Sequence, residues 1–172
     1  MHKPPPTREE LDAIPVSDND VKEYLAGLAR IEKALQKARI PASLEWAFVI
    51  MNAAAQALVI LGISRELFEM FADASFGGAL GRLSKPGKLP SEMPDLGKLE
   101  ANLAARVSRL FGALNAARID LADPDTCPLL LGVAAAEFAR NALPLEMFVT
   151  GCDAAYTDAE TRITAMGKKS QA

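Results

Sequence analysis

The chain has 172 residues, of which 50% are apolar and 24% charged, and its formal net charge is −3. This length is typical of one domain, and this composition is that of a globular protein rather than a disordered one. The single histidine is His2, which argues against histidine-based catalysis and histidine-ligated metal. The acidic balance also argues against nucleic acid and against a membrane surface as partners.

The residue counts predict an all-α fold. The chain contains 31 Ala and 22 Leu, against only 15 Val and Ile together and 6 Thr. Ala and Leu favour helices, whereas β-branched residues favour strands. We expect a six-helix, bundle-like globule that is built from two similar three-helix units.

Residues 1–16 are predicted to form a flexible N-terminal arm, in which Thr7 and Glu10 have the spacing of a capping box for a short helical turn up to Ala13. Residues 17–76 are predicted to form the first unit. Its three helices are expected at Ser17 to Arg39, Ala42 to Leu61, and Arg65 to Phe76, where Gly77-Gly78 would end the third.

Residues 77–94 are rich in Gly, Pro and Lys, which predicts a linker. Residues 95–160 are predicted to form the second unit, and residues 161–172 a C-terminal tail. The expected helices of this unit run from Asp95 to Arg118, from Pro128 to Asn141, and from Pro144 to Tyr156.

An internal repeat relates the two predicted units. Residues 24–40 align with 103–119, and residues 41–76 align with 121–156, giving 14 identities over 53 pairs. Half of these identities are alanine in an alanine-rich chain, so chance similarity between amphipathic helices is the alternative to duplication. The repeated arginine pairs Arg30/Arg109 and Arg39/Arg118 suggest either interhelical pairing or an anion site.

The apolar helix at 42–61 carries the candidate contact residues. Glu45, Asn52 and Gln56 share one narrow face, and Trp46 lies beside Glu45. These four residues are predicted to contact a partner or a ligand, with a core position as the alternative for Trp46. The three polar residues and the lack of basic flanks argue against a membrane span.

Four carboxylates are repeated between the units, namely Glu66, Asp73, Glu146 and Asp153. If the short helices met, these groups could converge on Mg²⁺, Ca²⁺ or Mn²⁺. The favoured alternative is structural, because the two glutamates would complement helix dipoles and the two aspartates could pair with Arg30 and Arg109. The sequence therefore predicts no metal and no cofactor.

Two cysteines, Cys127 and Cys152, lack CxxC spacing, and no signal peptide is apparent. We expect free, buried and inert thiols in a reducing cytoplasm. No GxSxG, P-loop or GxGxxG motif occurs that would indicate an enzyme.

The sequence thus predicts a non-enzymatic, cytoplasmic helical protein of the adaptor, accessory or inhibitor type. Its expected partner is another protein or a second copy in a homodimer. The alternative is a ligand-binding bundle with an apolar pocket between 42–61 and 128–141, in which Asn52 and Gln56 would be the polar anchors, or a metal site at the four carboxylates.

Overall fold

Helices make up most of the chain, as the composition predicts. The computed structural model describes residues 9–10 and 13–170, so the predicted capping box at Thr7 and most of the arm lie outside the described residues. Residues 13–170 contain seven helices and no strand. They are α1 (Asp18–Lys37), α2 (Leu44–Ile60), α3 (Arg65–Arg82), α4 (Leu96–Ala101), α5 (Leu103–Ala116), α6 (Thr126–Arg140) and α7 (Leu145–Ser170).

Short polar side chains set the beginnings of several helices. The Ser17 hydroxyl accepts a hydrogen bond from the Asp20 N–H at 3.1 Å, and the Asp20 carboxylate accepts one from the Ser17 N–H at 2.9 Å. Ser43 and Ser64 accept from backbone N–H groups of α2 and α3 in the same way. These caps satisfy N–H groups that have no partner within a helix, which explains why local sequence predicts the starts of α1 and α3. Helix α2 starts at Leu44, two residues after the predicted Ala42, because Ser43 is its cap.

The predicted end of the third helix is wrong. Gly77 and Gly78 do not stop α3, which continues to Arg82, so the irregular segment begins at Leu83 rather than at residue 77. Glycine weakens a helix by only about 1 kcal/mol relative to alanine. The burial of Phe76 and Ala79 on the core side of the same helix offsets that cost.

The second half also departs from the predicted boundaries. A break at Asn102 divides the expected helix from Asp95 to Arg118, and the Asn102 side-chain amide donates to the Lys98 carbonyl at 3.2 Å. Helix α6 starts at Thr126, so Pro128 lies within the first turn, where its missing N–H is tolerated. Residues 161–170 continue α7 instead of forming a separate tail.

Helices α2 and α6 are the centre of the molecule. They pack against each other, α2 also packs against α7, and α6 also packs against α3. Helix α1 packs on α6 and α5, and α5 packs on α2. Small side chains fill the central contact, where Ala54, Ala55, Ala134 and Ala135 have no exposed surface. Small residues allow two helix backbones to approach closely, which explains why these four positions are alanine.

No helix in the described part of the chain combines the length and the hydropathy that a membrane crossing requires. Helix α2 is the most apolar, but it has 17 residues.

Contacts at the ends of α1 and α5 are exchanged between the two aligned halves. Arg109 donates to the carbonyls of Ala38 and Arg39 at 3.1 and 3.0 Å. Its aligned residue Arg30 donates to the carbonyls of Ala117 and Arg118 at 3.3 and 2.8 Å. Each arginine therefore caps the C-terminus of the helix that carries the other. These matched contacts support the repeat, while duplication itself stays a prediction.

Candidate functional site

Trp46 lies in the core rather than on a contact surface. Only 6% of its surface is exposed. The guanidinium carbons of Arg106 and Arg109 lie 5.8 and 5.5 Å from the centre of its ring, within the range of cation–π attraction. Glu45, its neighbour on α2, forms an ion pair with Arg106. Trp46 therefore has the core position that was the alternative prediction for this residue.

Asn52 and Gln56 are both half-buried on α2. The Asn52 amide donates to the Phe48 carbonyl at 2.8 Å, and the residue lines a groove on the side of α7. Trp46 instead lines a separate cleft of about 160 Å³, beside Val133 of α6. The four predicted contact residues are thus not brought together at one surface, and Asn52 and Gln56 do not anchor that cleft between α2 and α6.

The four repeated carboxylates do not form a metal centre. No group of three or more potential His, Cys, Asp or Glu ligands occurs in the described part of the chain. Glu66 and Glu146 occupy the first turns of α3 and α7, where the helix dipole favours a negative charge. The convergence on which the alternative metal site would depend is therefore not found among the described residues.

Asp153 pairs with Arg65 instead of Arg109, which corrects the expected pairing. Arg65 also bonds to Thr157 at 2.9 Å and to Glu160 at 3.1 Å, and it lies over the ring of Tyr156. The hydrogen bond from Arg65 to Asp153 is the main reason why the pKa of the Arg65 guanidinium is raised. They join α3 to α7, so the role of Asp153 is structural.

An open apolar groove, which we call groove A, lies between α1 and α3. Its volume is about 580 Å³. Val21 and Leu25 of α1 are 46% and 43% exposed although they line it. The guanidinium carbon of Arg82 lies 5.6 Å from the ring centre of Tyr24, at one edge. The other lining residues are Val16, Asp20, Phe71, Ala74, Ser75, Gly78 and Pro128.

A second apolar groove, groove B, lies between α4, α5 and α7 and has a volume of about 520 Å³. Leu96 and Met147 line it and are 56% and 41% exposed. Its polar edge contains an ion pair between Arg162 and Asp158 at 3.0 Å. Other lining residues include Phe48, Asn52, Met93, Glu100, Leu103, Gly151, Ala154 and Ala155.

Groove A and groove B occupy corresponding places in the two halves. When the repeat alignment is continued past residue 156, Ala79 and Arg82 align with the identical residues Ala159 and Arg162. The wall that α3 forms in groove A then corresponds to the wall that α7 forms in groove B. The wall that α1 forms in groove A corresponds to the wall that the α4–α5 segment forms in groove B. The aligned lining pairs are Tyr24/Leu103, Phe71/Gly151, Ala74/Ala154, Ser75/Ala155, Gly78/Asp158, Arg82/Arg162 and Pro128/Phe48.

One charged residue that the sequence did not single out is buried. Glu137 of α6 is 7% exposed and forms an ion pair with Arg140. Burial raises the pKa of the Glu137 carboxyl, and the nearby Glu32 adds to this effect while Arg140 opposes it. Its sequence context could have indicated this burial, because Glu137 is the one charged residue between Cys127 and Ala139.

Both cysteines are buried and free, as predicted. Burial raises the pKa of the Cys127 thiol to about 12, with a further contribution from Asp123. Burial also raises the pKa of the Cys152 thiol to about 12. Since the thiolate is the reactive form, neither sulfur has the character of a nucleophile.

Comparisons of the chain with protein-family models, with curated proteins and with solved structures return no match.

Proposed function

We propose that this chain is a non-enzymatic interaction protein, and that groove A and groove B each bind an amphipathic helix of another protein. The observation that carries the proposal is the pair of apolar grooves in corresponding places. Six of the twelve large apolar side chains that are exposed in the described part of the chain line the grooves, and contiguous exposed apolar surface is typical of interaction sites. Those residues are Val16, Val21, Leu25, Met93, Leu96 and Met147.

The shape of each groove suits a helix. The part of α3 that lines groove A extends from Phe71 to Arg82, which is roughly 16 Å or three turns at 1.5 Å per residue. A helix of three turns presents apolar residues at positions i, i+3 or i+4, and i+7 along one face. Helices with this pattern bind in grooves between two other helices.

The charges around groove B indicate the flanks of the helix that binds there. Asp158 and Arg162 neutralise each other at the edge of groove B, while Glu100 lies exposed along the same groove. The chain as a whole carries a net charge of −3. We therefore expect Lys or Arg beside the apolar face of the partner helix, because complementary charges favour encounter and orientation.

Site-specific photo-crosslinking in the cell of origin tests this function. The photoreactive residue p-benzoylphenylalanine would replace Leu25 in groove A or Leu96 in groove B, with Ala29 on the exposed surface of α1 as the control position. The proposal predicts adducts from both groove positions to the apolar face of a helix in another protein. The Ala29 position should give no such adduct.

A synthetic peptide of the crosslinked helix then allows the affinity to be measured. Val21→Glu should weaken binding in groove A at least tenfold, because it places a charge against the apolar face of the peptide. Ala29→Glu should leave the affinity unchanged. Adducts only to a second copy of this chain, or adducts equal at groove and control positions, would refute the proposal.

A further inference from the structure

A basic cleft lies apart from the centres of both grooves. It has a volume of about 320 Å³ and is bounded by α1, α3, α6 and the segment that follows α3. Three cationic side chains line it, from Arg82, Lys85 and Arg140. Ser84 adds a hydroxyl, and Glu32 is the one carboxylate among the lining residues. The cleft therefore has an excess of positive charge in a chain whose net charge is negative.

The segment that carries Lys85 is fixed on the end of α6. The Lys88 N–H donates to the Arg140 carbonyl at 2.9 Å. Gly87 lies so close to α6 that a Cβ at this position would overlap the carbonyl oxygen of Ala139. Only glycine allows this approach, so the position of Lys85 at the cleft depends on a specific backbone contact.

The opposite side of the cleft is equally well defined. The Arg82 guanidinium lies over the ring of Tyr24, which limits its freedom. The Tyr24 hydroxyl and a methyl group of Leu28 occupy the space that a Cβ at Gly132 would need. Gly132 is unfavourable in the interior of α6, and its presence allows α1 to lie close enough to complete the cleft.

Arg140 is held by the buried carboxylate of Glu137. A guanidinium has five N–H donors, so this ion pair orients Arg140 without using its full capacity for hydrogen bonds. In the repeat alignment, Ile60, Ala57 and Ala165 correspond to Arg140, Glu137 and Lys85. The basic cleft is thus a feature of one half, unlike the two grooves.

We propose that the basic cleft binds a small organic anion through a phosphate or carboxylate group. Guanidinium and ammonium groups that line one concavity are the usual recognition elements for both groups. At about 30 Å³ per water-sized group, the cleft has room for roughly ten non-hydrogen atoms. The ligand class is therefore a phosphorylated metabolite or a dicarboxylate of this size.

Isothermal titration calorimetry with inorganic phosphate and with succinate, at constant ionic strength, tests the proposal. Saturable binding of either probe supports it, and the tighter probe identifies the anionic group. Lys85→Gln should weaken binding about tenfold, as expected for one charge-assisted hydrogen bond. Lys88→Gln removes an exposed charge three residues away and should leave the affinity unchanged. No saturable binding, or an equal loss in both variants, would overturn the proposal.

A substitution without a change in charge provides a second test. Gly87→Ala should displace the segment that carries Lys85 and weaken binding, whereas Gly77→Ala has open space around the new methyl group and should not. Circular dichroism shows whether both variants are folded. If Gly87→Ala does not fold, the comparison of Lys85→Gln with Lys88→Gln decides whether the cleft binds the anion. Leu96→Glu should not affect anion binding, because groove B shares no lining residue with the cleft, so the cleft and the proposed grooves can fail separately.

Discussion

Trp46 illustrates how a residue that resembles an interaction hot spot can belong to the core. Its side chain is covered by α5, through Arg106 and Arg109. The arginine stems contribute apolar surface and their guanidinium groups lie at cation–π distance from the indole ring. Trp46 therefore stabilises the packing of α5 against α2.

Trp46→Ala should lower the free energy of unfolding by about 3–5 kcal/mol, the usual range for truncating a buried aromatic residue. Urea denaturation followed by circular dichroism measures this change. Met166→Ala, at a residue that is 63% exposed on α7, is the control and should change stability by less than about 0.5 kcal/mol. A loss below about 1 kcal/mol for Trp46→Ala would mean that the side chain is not part of the core.

Glu137 is a buried acid whose protonation should favour the folded chain. Burial raises its pKa above the ordinary value of 4.5. The folded chain therefore binds this proton more readily than the unfolded chain, and stability from this group increases as the pH falls through the raised pKa. This contribution to stability is fully present below the ordinary pKa and is lost as the pH rises through the raised pKa.

Glu137→Gln should remove this pH dependence, because glutamine does not titrate. Relative to the variant, the original chain should have a higher free energy of unfolding near pH 4.5 than at pH 7. Urea denaturation at both pH values measures it, and Glu146→Gln at a helix start is the control. The opposite slope would show that attraction to Arg140 outweighs burial at Glu137.

Several helices are followed by a residue whose backbone lies in the left-handed region. Arg39, Arg118 and Ala142 have φ of 55°, 56° and 52°, and Gly62 has φ of 72°. The next N–H then bonds back to the helix, as from Leu143 to the Phe138 carbonyl at 3.0 Å. Only glycine adopts this conformation without a steric cost.

Ala142→Gly should raise the free energy of unfolding by about 0.5–1 kcal/mol, because it removes the contact of the Cβ with the backbone. Ala29→Gly, in the exposed interior of α1, should lower it by about the same amount. Thermal denaturation of the two variants measures both changes. A decrease in both would indicate that residue 142 does not hold the left-handed conformation in the native chain.

The reciprocal caps of Arg30 and Arg109 join α1 to α5. Each guanidinium lies at the negative end of the other helix, where a cation is favoured. Arg30→Ala and Arg109→Ala should each lower stability by about 1 kcal/mol. Lys33→Ala, another exposed cation of α1, should have little effect. Chemical denaturation measures the three variants, and equal effects in all three would argue that general charge, rather than the caps, is responsible.

At the scale of the whole molecule, the arrangement of helices creates surfaces that no single helix shows. Helix α1 lies against α6 and α5 and leaves Val21 and Leu25 facing α3 across groove A. In the other half, Leu96 and Met147 face each other across groove B. The similarity of the two halves therefore extends from the aligned residues to the open surface.

The amino-acid sequence predicts the helical class, the extent of α1 and the apolar centre, because these depend on local propensity and periodicity. It fails at Gly77 and Gly78, where packing of Phe76 and Ala79 overrides two weak helix formers. The grooves and the basic cleft depend on how distant helices meet. Lys85 and Arg140, for example, lie 55 positions apart in the sequence and line the same cleft.

Native mass spectrometry of the protein, purified gently from its own cell, tests whether the chain binds another protein through its two grooves. We expect one copy of this chain in complex with a different protein, and loss of that protein when Val21→Glu and Leu96→Glu are combined. The combined variant should stay folded, since both side chains are exposed. A chain found alone or only with its own copies, or a complex that survives both substitutions, would contradict binding of another protein in the grooves.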